Sequence, residues 1–187
     1  IHDTTIGWRF TNPALSKLHH PFSMGETAEN VAEQFHISRE DQDQFAYETQ
    51  LNWKNAQAAG HFNNEIAPVA IPQRKGEPIL FAVDEHPRLS EVSVLASLKP
   101  AFRDGGTVTA GNSSGINDGA AVCILASEEM VKQLGLTPMA RIAGLGAAGV
   151  DPSIMGIGPV PASQKALKNA GITVGDLGVA ELNEAFA

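Results

Sequence analysis

The chain of 187 residues carries 13 Lys and Arg against 21 Asp and Glu, a net charge of −8, with 43% hydrophobic and 18% charged residues. That balance is enough for one or two folded domains and argues against nucleic acid or an anionic membrane as a general partner. No apolar run approaches the ~20 residues of a membrane-spanning helix, and the single cysteine, which allows no intrachain disulfide, suits a reducing cytoplasm.

Residues 1–26 read as irregular, with Pro13 and Pro21, and a helix is expected over Glu26–Phe35. Ser38-Arg39-Glu40-Asp41 has the form of a capping box. The helix it opens carries Phe45, Thr49, Trp53 and Ala56 near helical spacing and should end near Gly60. Ile66–Ile71 reads as an edge strand, because Pro68 cannot donate to a ladder. Ile79–Val83 reads as a second short strand, and Val92–Leu98 as a short helix before Pro100. After Asp104 the composition turns small and apolar. Ala120–Ala126 fits a strand buried on both faces. Ser127 should cap the next helix and Gly135 close it. Ala140–Ala143 is expected as a strand, Pro161 as the start of a helix that Gly171 ends, and Val179–Leu182 as a last strand. The first 105 residues thus form an α+β region, and 106–187 form parts of an α/β layer.

Several patterns suggest chemistry. Cys123 lies mid-run among apolar residues with no His after it, so it reads as a small buried hydrophobe. Gly111-Asn112-Ser113-Ser114-Gly115 matches a hydrolase elbow around Ser113, but that triad needs a later His, and the last one is His86. A turn-rich loop approaching a ligand is the better reading, with a purely structural loop as the alternative. Gly144-Leu145-Gly146-Ala147-Ala148-Gly149 matches a dinucleotide fingerprint, yet Asp151-Pro152 interrupts the helix such a site requires. The six histidines lack metal-ligand spacing, so no metal site is expected. Asn183 follows Val179–Leu182, where side chains meet ligand in layered α/β folds; an Asn there can also simply cap a helix.

Asn183-Glu184-Ala185-Phe186 resembles the Asn-Glu-Ala-Phe motif of thiolases, and Gly111–Ala121 resembles a second signature of that family. Ser23–Ala32, Leu98–Phe102, Gly106–Asn112 and Met155–Ala162 follow in family order. The resemblance implies a thiolase-like α/β fragment, an α+β loop domain followed by parts of the layered βαβα core. Residues 1–116 would be the loop domain that holds coenzyme A, 117–138 the end of the first core half, and 139–187 the start of the second. It implies cleavage of 3-oxoacyl-CoA by coenzyme A, which is a substrate; no covalent cofactor or metal is implied. Thiolases are similar in forming homodimers and homotetramers, with the run around Cys123 near the dimer contact.

By the same resemblance, Asn183 holds a water in an oxyanion hole. Met24 and Phe102 lie along the pantetheine arm, Leu98 beside the adenine, and Arg88 near the nucleotide end. Ala110, Ser114 and Met155 lie along the arm or near the thiol, and Ala185 and Phe186 flank the catalytic pocket. Arg88, Lys99 and Arg103 supply local positive charge, with a solvated face as the alternative for Lys99 and Arg103. The family's nucleophilic cysteine, its Gly-His-Pro block and its second cysteine have no counterpart here, so the chain reads as an internal piece, inert alone. Asp3–Phe10 resembles the loop-domain start of β-ketoadipyl-CoA thiolases, with Arg9 as a candidate partner for a second carboxylate. Ser23 stands where several biosynthetic thiolases have His. A non-catalytic CoA-binding or assembly module is the rival reading.

Overall fold

In the computed structural model, which describes residues 10–187, the chain divides into two units. One comprises Phe10, Pro21–Gly115 and Glu184–Ala187; the other comprises Thr11–His20 and Ile116–Asn183. The helices are α1 (Pro13–Leu18), α2 (Met24–Phe35), α3 (Arg39–Ala58), α4 (Val92–Ala96), α5 (Glu128–Leu134) and α6 (Pro159–Ala170). One antiparallel pair, β1 (Val69–Ile71) and β2 (Ile79–Phe81), forms the sheet among the described residues. No helix among them is long and apolar enough to cross a membrane.

In the first unit the helix starts follow local chemistry. Ser38 caps α3 as expected: the Asp41 N–H donates to Ser38 Oγ at 3.0 Å, and Asp41 reaches back to Ser38. A second box opens α2. There the Ser23 N–H donates to Glu26 Oε2 at 2.8 Å, and the Glu26 N–H donates to Ser23 Oγ at 3.3 Å. This starts α2 two residues before the expected Glu26. It also commits the Ser23 hydroxyl to the backbone. β1 begins only at Val69, immediately after Pro68, whose missing N–H ends the ladder there. Its register pairs Val69 with Phe81 and Ile71 with Ile79.

The inward face of α3 is not the stripe that carries Phe45 and Thr49. Phe45 and Thr49 are exposed, whereas Gln42 and Asp43 are buried. The helical period is right but its phase is rotated, because α3 meets the Thr107–Asn112 loop through hydrogen bonds rather than apolar contact. The buried apolar side chains of this unit are Ala32, Leu95 and Val108, outnumbered by buried Thr27, Glu29, Gln42, Asp43, Thr109 and Asn112.

In the second unit Asn12 caps α1, whose first residue is Pro13, so a short helix stands where the sequence reads as irregular. Ser127 caps α5 and Gly135 ends it at φ 61°, both as expected. A 3-10 turn over Pro152–Ile157 precedes α6, which starts at Pro159 and ends at Gly171. The glycines of the dinucleotide-like pattern have a packing role. A Cβ on Gly146 would overlap the Ala162 carbonyl of α6, and one on Gly144 would lie 2.5 Å from the Ala166 carbonyl. Lys165 Nζ and Asn169 Nδ2 donate to the carbonyls of Ala147 and Leu145 at 2.9 and 2.8 Å.

The strands expected at 120–126, 140–143 and 179–182 are not formed. Val122 and Ile124 are 95% and 89% exposed, and Cys123 is exposed rather than buried. A strand exists only through a neighbour that takes its N–H and C=O groups, and the described residues supply none for these segments.

Asp151 caps the 3-10 turn. The Ser153 hydroxyl and N–H donate to its Oδ1 at 2.7 and 2.8 Å. These bonds, with a smaller pull from His19, hold the Asp151 carboxyl below the usual value of 3.8. A carboxylate whose pKa is depressed by folding stabilises the folded state above its unfolded pKa and loses that contribution as pH falls through the folded one. The Ser153 amide resonance is therefore expected to titrate with a midpoint below the ordinary value of 3.8. An NMR titration whose midpoint falls at or above the ordinary value would refute the cap.

Candidate functional site

The site rests on a loop held by two buried carboxylates. Glu29, on the Gly25–Ala32 stripe of α2, is 4% exposed. Its Oε1 accepts from the N–H groups of Thr107 and Val108 at 2.9 and 2.8 Å, and its Oε2 accepts from Thr107 Oγ1 at 3.0 Å. Asp43, on α3, accepts from Arg39 Nε at 2.7 Å and from Asn112 Nδ2 at 2.9 Å. Asn112 Oδ1 in turn accepts from the Thr109 N–H at 2.7 Å. Arg39 Nη2 continues to the carbonyls of Leu95 and Leu98, at 2.6 and 3.1 Å, tying α3 to α4 and the turn after it. A carboxylate that accepts several buried N–H donors leaves no orphaned polar group, which is what makes such a polar interior tolerable.

On this support the last four residues lie alongside the loop. The Ser114 N–H donates to the Ala185 carbonyl, and the Ala187 N–H to the Asn112 carbonyl, each at 2.9 Å. Ser113 and Phe186 form an antiparallel bridge. The Phe186 ring meets Phe102 edge-on, with centroids 6.0 Å apart and planes at 86°, a favoured aromatic geometry. Phe102 covers Gly25, where a Cβ would collide with the ring. Leu98 packs on Gly111. The structure therefore brings Leu98, Phe102, Ser114, Ala185 and Phe186 onto one connected wall, with Met24 beside Gly25 and Ala110 on the loop, both exposed.

The remaining expected residues have other settings. The Arg88 N–H donates to Gln50 Oε1 at 2.8 Å and its side chain is exposed. Met155, in the 3-10 turn, and Asn183 belong to the second unit, and both are exposed. Asn183 therefore does not end a buried strand, since no ladder forms over 179–182. Arg103 is engaged with Asn30 Oδ1 at 2.5 Å and Glu33 Oε2 at 3.3 Å, so it works within the fold. Arg9 and most of the Asp3–Phe10 stretch lie outside the described residues.

Ser113 Oγ donates to the Thr109 carbonyl at 2.7 Å, a turn-closing bond that leaves it no role as an elbow nucleophile. Among the described residues no group of three or more His, Cys, Asp or Glu stands where it could hold a metal ion. A shallow hollow of about 340 Å³, lined by Ala32, Glu33, Ile37, Arg103 and the Gly105–Thr107 turn, lies on the Glu29 side of the loop. Reading the sequence missed Glu29, Asp43 and Asn112. The available signal was an acid interrupting each inward stripe, Gly25-Glu29-Ala32 on α2 and Arg39-Asp43-Ala46 on α3.

The wall supplies apolar and aromatic edges, an exposed Ser114 and main-chain groups. That suits a long flexible ligand with an apolar arm better than it suits bond cleavage by these residues alone.

The fold has relatives among known proteins. The chain is 55% identical over its whole length to β-ketoadipyl-CoA thiolase of Acinetobacter baylyi, covering 47% of that protein. It superposes on the crystal structure of the Bacillus anthracis acetyl-CoA acetyltransferase with a TM-score of 0.81 at 44% identity, over 100% of this chain and 49% of that one. For human mitochondrial 3-ketoacyl-CoA thiolase in complex with CoA the TM-score is 0.80 at 43% identity, over 98% and 48% of the two chains. The chain thus spans about half the length of the curated relatives it matches. This likeness gives the fold class as a fragment of the thiolase α/β fold, although the second unit forms no ladder of its own. Residues 3–129 match the thiolase N-terminal domain and 136–187 the thiolase C-terminal domain, so the chain belongs to the thiolase family.

Proposed function

We propose that this chain is the central part of a thiolase that cleaves 3-oxoacyl-CoA, 3-oxoadipyl-CoA foremost, with coenzyme A to give acetyl-CoA and a shortened acyl-CoA. The observation that carries the reading is the wall on which Ser114 bonds Ala185 and Phe186 meets Phe102, three family motifs distant in sequence joined in one surface. Residues 1–116 act as the CoA-holding loop domain, 117–138 end the first core half, and 139–187 begin the second. A unit boundary at Gly115 supports the first of these limits.

Met24 and Phe102 flank the pantetheine arm, Leu98 the adenine, and Ala110, Ser114 and Met155 the arm toward the thiol. Ala185 and Phe186 border the reacting end. Arg88 serves the nucleotide phosphates; Arg103 is less suited, being paired already with Asn30 and Glu33. A cysteine thiolate supplied by another part of the whole protein attacks the 3-oxo carbonyl. The adjacent carbon–carbon bond breaks, the acetyl-CoA carbanion takes a proton, and a second coenzyme A thiol accepts the acyl group from the cysteine. Asn183 orients a water toward the thioester oxygen where negative charge develops. The 187-residue chain by itself, without that cysteine and its acid–base partners, is catalytically silent. The whole enzyme works in the cytoplasm as a homodimer or homotetramer without metal.

The substrate assignment rests on the Asp3–Phe10 resemblance and on the A. baylyi relative, itself a β-ketoadipyl-CoA thiolase. In the whole protein kcat/KM for 3-oxoadipyl-CoA is expected to exceed that for acetoacetyl-CoA by roughly ten- to a hundredfold, the worth of one charge-assisted contact to the distal carboxylate. Steady-state kinetics on the two substrates checks this, and Arg9→Ala tests one partner: a direct contact lowers use of the dicarboxylic substrate alone. Equal or better use of acetoacetyl-CoA would leave only a general 3-oxoacyl-CoA thiolase.

A further inference from the structure

His86 lies against Gly115, the residue after Ser114, and both are exposed. A Cβ built on Gly115 would overlap the His86 ring, with Cε1, Nε2 and Nδ1 as its three nearest atoms. The turn that carries His86 is closed locally and tied to α3 on its C-terminal side. Its own N–H donates to Asp84 Oδ1 at 3.2 Å, and the Arg88 N–H donates to Gln50 Oε1 of α3 at 2.8 Å. On the other side of the loop the Ser114 N–H is held by the Ala185 carbonyl at 2.9 Å. The loop end is thus gripped between Ala185 and an imidazole set on a segment fixed to α3. Gly115 is not in the left-handed region, so its lack of a side chain answers to the ring and not to the backbone.

We propose that His86 is a positioning residue for acyl-CoA: its ring wedges Gly115 and thereby sets where Ser114 meets the thioester-bearing arm. The proposal rests on the CoA reading of Ser114 given above. Removing the ring takes away the contact that limits where Gly115 can sit, and a displaced binding group weakens a long ligand along its whole arm. The chemistry at the reacting carbon does not pass through His86.

The test is a size swap in the whole protein. His86→Ala and Gly115→Ala are each expected to raise KM for the acyl-CoA about tenfold with kcat within about twofold, the pattern of a lost uniform binding contribution. The melting temperature of each variant stays near that of the parent. The double variant, in which the new methyl occupies part of the space the ring leaves, recovers most of the loss caused by Gly115→Ala. Unchanged KM in His86→Ala, or losses that simply multiply in the double variant, would overturn the wedge. A fall in melting temperature that accounts for the loss of activity would also overturn it, as a general folding role. Absence of thiolysis by the unsubstituted whole protein would refute the CoA reading and the proposal with it.

Discussion

Replacing Glu29 by Ala in the whole protein should destabilise the Thr107–Asn112 loop by about 3–5 kcal/mol, because several buried donors lose their acceptor at ~1–3 kcal/mol each. The donors are the N–H groups of Thr107 and Val108 and the Thr107 hydroxyl. Val108 is 2% exposed, so water does not readily replace the carboxylate. Glu29→Gln should fall between the two. It keeps one oxygen as an acceptor, but its amide NH₂ faces donors where Oε2 or Oε1 stood. Amide hydrogen exchange is the direct measurement, because it reports local opening. Exchange at Thr107 and Val108 is expected to accelerate on the order of a hundredfold or more, as 3 kcal/mol implies. Protection that survives Glu29→Ala would show that the loop is held by Asp43 and Asn112 alone.

Asn183→Ala in the whole protein should lower kcat on the order of a hundredfold or more, the usual cost of losing one oxyanion-stabilising donor. KM should change far less if Asn183 has the proposed role, because an oxyanion gains its charge only as the transition state forms. The exposed position of Asn183 in this chain is compatible with contact to a bound water. Steady-state kinetics with a 3-oxoacyl-CoA separates the alternatives. A change confined to KM would make Asn183 a binding residue, and no kinetic change with a lower melting temperature would make it a structural cap.

The helix ends were legible in the residues because a cap is a local device. Ser38, Ser127, Gly135 and Gly171 act on backbone groups within a few positions of themselves, and each does so where the sequence places it. The Ser23–Glu26 box has the same logic and was as readable, though the helix was expected to begin at Glu26. Family motifs were legible for a related reason. Order along the chain survives in the sequence even when the contacts that motivate it do not.

Only the tertiary structure decided what those helices bury. The periodicity of α3 defines a stripe but not which stripe is inward, and the choice fell on Gln42 and Asp43 because partners 65 and 69 residues away, Thr107 and Asn112, satisfy them. The same holds for the Glu29 clasp and for the wall that joins Ser114 to Ala185. Strands show the opposite outcome from the same cause. Ala120–Ala126 has a strand's composition, yet composition supplies no ladder, and with no neighbouring strand among the described residues its apolar side chains stay exposed. Local hydrogen bonds were therefore determined by the sequence alone, whereas the buried polar network and strand pairing depend on which distant groups the fold brings within about 3 Å of one another.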